Sequence, residues 1–112
     1  MSATKKTYDF IKVAESDPSL LHVDHDEYKG NLRLRRPTLQ ARLEHGQLLG
    51  AWTNLLAGEE HARLVERYAA VMAFVEEAKG LSISEIVDTD LLDALFEEVQ
   101  RWLASFRKEA QS

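Results

Sequence analysis

Residues 31–43 read NLRLRRPTLQARL. Two periods meet in this stretch. From Leu32 to Arg35 apolar and basic residues alternate, the two-residue period of a strand. Leu32 and Leu34 therefore share one face, and Arg33 and Arg35 the other. Pro37 disfavours α conformation at Arg36. Thr38 then reads as an N-cap, its hydroxyl serving one of the unpaired amides of a first helical turn. Leu39, Leu43, Leu48, Leu49, Trp52, Leu55 and Leu56 follow at broadly helical spacing, with a slip near Gly46. The stretch marks a joint between strand and helix. It divides one domain, residues 1–112, into a mixed opening (1–37) and a helical remainder (38–112).

Upstream of the joint, residues 7–14, TYDFIKVA, suit a short helix or a strand, and periodicity does not decide between them. The tripeptide SDP at 16–18 is a turn signal. LLHV (20–23) and LRLR (32–35) flank the polar DHDEYKGN and predict a β-hairpin.

Downstream, Gly46 and Gly50 each cost about 1 kcal/mol against Ala inside a helix. Either the helix breaks near His45, or the glycines let another backbone approach closely. Ala57 and Gly58 close this segment. Leu64, Val65, Tyr68, Val71, Met72 and Val75 then step by threes and fours, predicting a helix from Glu59 to about Lys79. Glu59 and Glu60 suit its first turn, Lys79 its last, and Gly80 its stop. SISE (82–85) has the form of a capping box, and DTD (88–90) caps a final helix. The apolar stripe of that helix is Leu91, Leu92, Leu95, Phe96, Val99, Trp102, Leu103 and Phe106. The expected fold is mainly α: three main helices with a short N-terminal β-hairpin.

The totals exclude several classes. At 112 residues the chain suits one small domain. It has no cysteine, which removes disulfides, a thiol nucleophile and thiolate zinc sites, and fits a cytoplasmic setting. No apolar run approaches the roughly 18 residues of a membrane span, and the opening MSATKKTYDF does not read as a secretory signal. The net charge of −5 is the wrong sign for a whole-surface nucleic-acid binder, so only a local patch could serve.

Four groups invite a chemical reading. His22, Asp24, His25, Asp26 and Glu27 offer imidazole and carboxylate to a metal. Their spacing matches no zinc signature, and His22 and His25 point to opposite faces of an extended segment, so a solvated loop is preferred and no metal or cofactor is expected. His61 with Glu60 could transfer a proton, but nothing nearby supplies a nucleophile or an orienting group. His45 is likewise isolated, and no enzyme is expected. Arg33, Arg35 and Arg36 could contact DNA. Only Gln40 and Arg42 in the helix that follows suit bases, so a structural joint meeting acidic surface is preferred. Glu85, Asp88, Asp90, Asp93, Glu97 and Glu98 form an acidic third. They read as a solvated face or as the rim of an apolar groove for a partner helix. The stripe of Leu92, Phe96, Val99, Trp102 and Phe106 is mostly core, with a remainder left for a partner or a second copy.

The order GNLRLRRPTLQARLEHG, a helical middle, then GLSISEIVDTDLLDALFEEVQRWLASF resembles the tail assembly chaperones of long-tailed phages and prophages. The matching residues are Leu32, Leu34, Arg36, Pro37 and Thr38, then Gly80, Leu81, Glu85, Ile86, Asp90, Leu91, Leu95, Val99 and Leu103. The likeness spans residues 30–106, and its motifs are mostly fold grammar. It implies a β-rich opening and a non-enzymatic role in the host cytoplasm. Such chaperones bind the long helical tape measure protein, keep it soluble and help tail tube subunits assemble. On that reading Arg33, Arg35, Arg36 and the C-terminal stripe are the partner-binding residues. A small DNA-binding prophage regulator and an acidic inhibitor mimicking nucleic acid are the alternatives.

Overall fold

The strand-to-helix joint is where the chain passes from one layer of the fold to the other. In the computed structural model, which describes residues 8–53, 57–76 and 80–111 with side chains to 107, strands β1 (Ile11–Ala14), β2 (Asp17–His25) and β3 (Tyr28–Leu34) precede helix α1 (Leu39–Trp52). Helix α2 (Glu59–Phe74), strand β4 (Val75–Glu76), a 3-10 turn (Ile83–Glu85) and helix α3 (Thr89–Gln111) follow. The strands form one antiparallel sheet in the order β1-β2-β3-β4. The fold is therefore α+β, which corrects the expectation of a mainly α domain with a short hairpin.

Two signals account for the difference. Residues 11–14 alternate Ile-Lys-Val-Ala, but the run is too short to stand apart from a helix until β2 is there to pair with it. Val75 continues the helical spacing of α2, so the sequence runs that helix on towards Lys79, which lies outside the described residues. Tertiary context decides otherwise. The open edge of β3 takes Val75 opposite Leu34 and Glu76 opposite Arg33, and Val75 is buried as a strand residue.

The pleat gives the sheet one apolar face. Ile11 pairs with Val23 and Leu21 with Leu32, and with Leu34 these side chains are buried against Val71, Phe74, Leu91, Leu95 and Val99 of α2 and α3. Leu21, Leu32, Leu91 and Leu95 are completely enclosed. Each such leucine contributes about 1.5–3 kcal/mol of transfer free energy. Lys12, His22, Asp24 and Arg33 occupy the other, solvated face.

Helix ends follow local chemistry. The Thr38 hydroxyl accepts from the Ala41 amide, capping α1 as its place after Pro37 suggested. Asp88 caps α3, its carboxylate accepting from the Asp90 amide. The Ser82 side chain makes no cap bond to the 3-10 turn and instead meets the Ser84 hydroxyl, so SISE gives a helical turn without a capping box. Helix α1 runs unbroken through Gly46 and Gly50, and among the described residues no atom beyond its own backbone would meet a Cβ at either within 4 Å. Leu55 and Leu56 lie outside the described residues.

Candidate functional site

The three arginines at the joint part company. Arg33, on the solvated sheet face, donates to Asp17 Oδ2 at 2.9 Å and to the Ser19 hydroxyl at 3.0 Å. The Ser19 hydroxyl also donates to Asp17, and with Arg33 it draws the Asp17 carboxyl down to about 2. Arg35 forks onto both oxygens of Glu44, at 3.0 and 3.1 Å, and reaches the Ala73 carbonyl. The same bond holds the Glu44 carboxyl below its ordinary range and raises the guanidinium. The backbone of Arg35 is bound on both sides: its amide donates to the Phe74 carbonyl at 2.7 Å, and its carbonyl accepts from Trp102 Nε1 at 2.8 Å. Arg35 thus ties together β3, α1, α2 and α3. Of the three, only Arg36 lacks an ion pair among the described residues, and it is exposed.

The C-terminal stripe faces inward. Leu92, Val99 and Trp102 are buried, so these proposed partner-binding residues belong to the interior of the fold. Phe106 is partly buried edge-on against Trp102. Phe96 is partly covered by the Arg67 guanidinium, 4.8 Å above its ring. Arg67 in turn lies 2.7 Å from Asp93, which Arg63 also approaches. Asp93 is therefore neutralised within the fold, Glu98 is paired with Arg101, and Asp88 with His25. The acidic third does not present one continuous charged face.

A groove lies beside that stripe, and what the sequence does not reveal is its position over α2. Helix α2 forms its floor, with α1 and α3 as walls. Leu49, Ala62, Val65, Ala70, Phe96 and Leu103 line it, and its volume is about 550 Å³. His45, Glu59, Glu66 and Gln100 supply polar groups around them. From Glu59 to Ala70 the floor rises roughly 16 Å, the length of about three helical turns. Burial holds His45 below its ordinary pKa, and its ring lies 5.4 Å from that of Phe74. A second depression of about 400 Å³ on the other side of α2 is bounded by Trp52, Leu64, Tyr68, Ile83, Ile86 and Leu92. Its rim includes Trp52, 53% exposed. The sequence signals for these sites are the apolar residues of α1 and the stripes of α2 and α3, which supply Leu64, Val65, Tyr68, Phe96 and Leu103.

His25, Glu27 and Asp88 converge, with one ligand atom from each inside 4.8 Å, whereas His22 turns away to Asn31. The hydrogen bonds explain this cluster as a clasp. Glu27 accepts the Val87 and Asp88 amides at 2.8 and 2.7 Å, one on each carboxylate oxygen. His25 Nδ1 accepts the Glu27 amide at 3.0 Å, so a neutral ring carries its proton on Nε2 and donates it to Asp88 at 2.9 Å. A metal would need the lone pair at Nε2, the nitrogen that this arrangement protonates. The β2–β3 turn thereby fastens the start of α3.

The remaining histidine and carboxylate pair does not act together. Glu60 is taken by the Arg63 guanidinium, and His61 Nε2 lies 2.6 Å from the Trp52 carbonyl, an oxygen that can only accept. No protein-family model, curated protein or solved structure matches the chain.

Proposed function

We propose that this chain is a non-enzymatic binding module that holds an apolar helical segment of a protein partner in the groove between α1 and α3. The observation that carries the reading is the groove itself: an apolar trough over α2, about three turns long, with a polar margin. The small side chain of Ala62 leaves the floor open to a partner's backbone. Many modest contacts along such a trough allow release as well as capture.

The tail assembly chaperone is the specific form of this proposal. Its client, the tape measure protein, is long and helical and exposes apolar surface until the tube encloses it. Two features support that form. The sequence likeness at the joint and in α3 is one. The β-rich opening is the other, since residues 11–34 supply three strands, the first of them where the sequence left helix and strand open. The nucleic-acid alternatives gain less support, because Arg33 and Arg35 are committed to Asp17 and Glu44 and half of the acidic third is paired internally.

The test is co-expression with a tape measure protein of a long-tailed phage. The chain is expected to co-purify with it and keep it soluble. Ala62→Trp, at an exposed position, fills the trough and is expected to abolish co-purification while leaving the circular dichroism spectrum unchanged. Undiminished co-purification by that variant would remove the groove from the proposal.

A further inference from the structure

Among the described residues, helix α1 is packed on one side only. Ala41, His45 and Leu48 turn towards α2 and the core. At about 100° per residue, Leu39, Leu43, Gly46 and Gly50 fall within an arc of about 60° on the opposite side. Leu39 is 74% exposed and Leu43 61%. Among the described residues, no atom beyond the helix's own backbone comes within 4 Å of a Cβ built at Gly46 or Gly50. Single exposed leucines are ordinary on a protein surface. These two continue into two glycines at the four-three-four spacing of a helix-packing seam. Each glycine weakens the helix by about 1 kcal/mol against Ala, and nothing among the described residues makes use of the space it leaves.

The seam is complementary to itself. Its bulky half is N-terminal and its hollow half C-terminal. When α1 is laid antiparallel on a second α1, Leu39 faces Gly50 and Leu43 faces Gly46 in one and the same register, because both pairs are centred between Glu44 and His45. A parallel pairing sets leucine on leucine and glycine on glycine, which leaves a clash beside a gap. Charge selects the same arrangement. Arg36 and Arg42 stand at the N-terminal end of α1, whose first turn holds no acidic residue. The C-terminal end has no basic residue in its last turn and lies beside Glu59, which lines the same groove as Thr53. Among the described residues none of Arg36, Arg42 and Glu59 has an ion-pair partner. Antiparallel packing brings the arginines of one copy towards Glu59 of the other and opposes the helix dipoles.

We infer that α1 pairs antiparallel with α1 of a second copy of this chain, through Leu39, Leu43, Gly46 and Gly50. The result is a twofold, isologous dimer. The groove borders on His45 and Leu49, on the adjoining side of α1, so each copy keeps its own trough open.

Sedimentation equilibrium of the full chain over a concentration series tests this. The wild type is expected to dimerise. Gly46→Leu sets leucine against Leu43, and Leu43→Gly sets glycine against Gly46; each is expected to raise the dissociation constant at least about tenfold. The swap L43G/G46L moves the knob and the hole together and is expected to restore wild-type association. Circular dichroism melting confirms that each variant is folded. A wild-type chain that stays monomeric to its solubility limit overturns the inference. So does a Gly46→Leu variant that associates more tightly, the behaviour of an unspecific apolar patch, or a swap that fails to recover. A monomeric chain whose seam variants lose a different protein's binding would assign the face to that partner and likewise overturn the second copy.

Discussion

Arg35 is the residue on which the layers depend, and it acts through its backbone as much as its charge. Its carbonyl takes the Trp102 indole proton and its amide holds the end of α2. Trp102→Phe keeps most of the apolar contact but leaves that carbonyl without its donor, and is expected to lower unfolding free energy by about 1–2 kcal/mol in urea titration. Asp17 makes a prediction in pH. Its folded pKa is about 2, below the ordinary 3.8, chiefly through the Ser19 hydroxyl and then Arg33. The ionised form is favoured by folding, so its stabilising contribution is complete above 3.8 and is lost as pH falls towards 2. Asp17→Asn is expected to flatten the melting temperature over that window. Part of this was legible beforehand: the alternation of Leu32 to Arg35 assigned the faces, and Thr38 announced the cap. The partners Asp17 and Glu44 were not, because an ion pair across strands or between a joint and a helix depends on register that no local pattern encodes.

At the scale of elements, the helices were legible and the sheet was only half so. Residues 20–23 and 32–35 carried a hairpin because two apolar runs flank a polar loop. β1 and β4 escaped for opposite reasons. The first is too short to declare a period, and the second is written in the spacing of the preceding helix until the edge of β3 claims it. The clasp at the start of α3 shows the same dependence. The segment 22–27 reads in sequence as a solvated loop, with a metal cluster as the lesser alternative, yet in the fold its Glu27 holds two amides from residues distant in sequence. Glu27→Ala is expected to cost about 1 kcal/mol in thermal or urea unfolding, the usual loss for a helix-start acceptor. It is also expected to speed hydrogen exchange at the Val87 and Asp88 amides.

For the whole molecule, the inward turn of α3 moves the proposed binding surface. A stripe containing Trp102, Val99 and Leu92 suggested a face for a partner, but a sheet of four strands needs that stripe as its cover. The apolar excess instead appears around α1: a trough on the side shared with α2 and α3, and a seam on the outside. The sequence held the residues of both but not the sheet that frees them from the core. No helix of the described residues is long and apolar enough to cross a membrane. The most direct measurement is an NMR titration of the isotopically labelled chain with an apolar, helix-forming peptide about three turns long. Amide shifts are predicted to cluster at Leu49, Ala62, Val65, Phe96 and Leu103 and to saturate. Shifts confined to the solvated face of the sheet, at Lys12, His22 and Arg33, or no shifts at all, would contradict the groove.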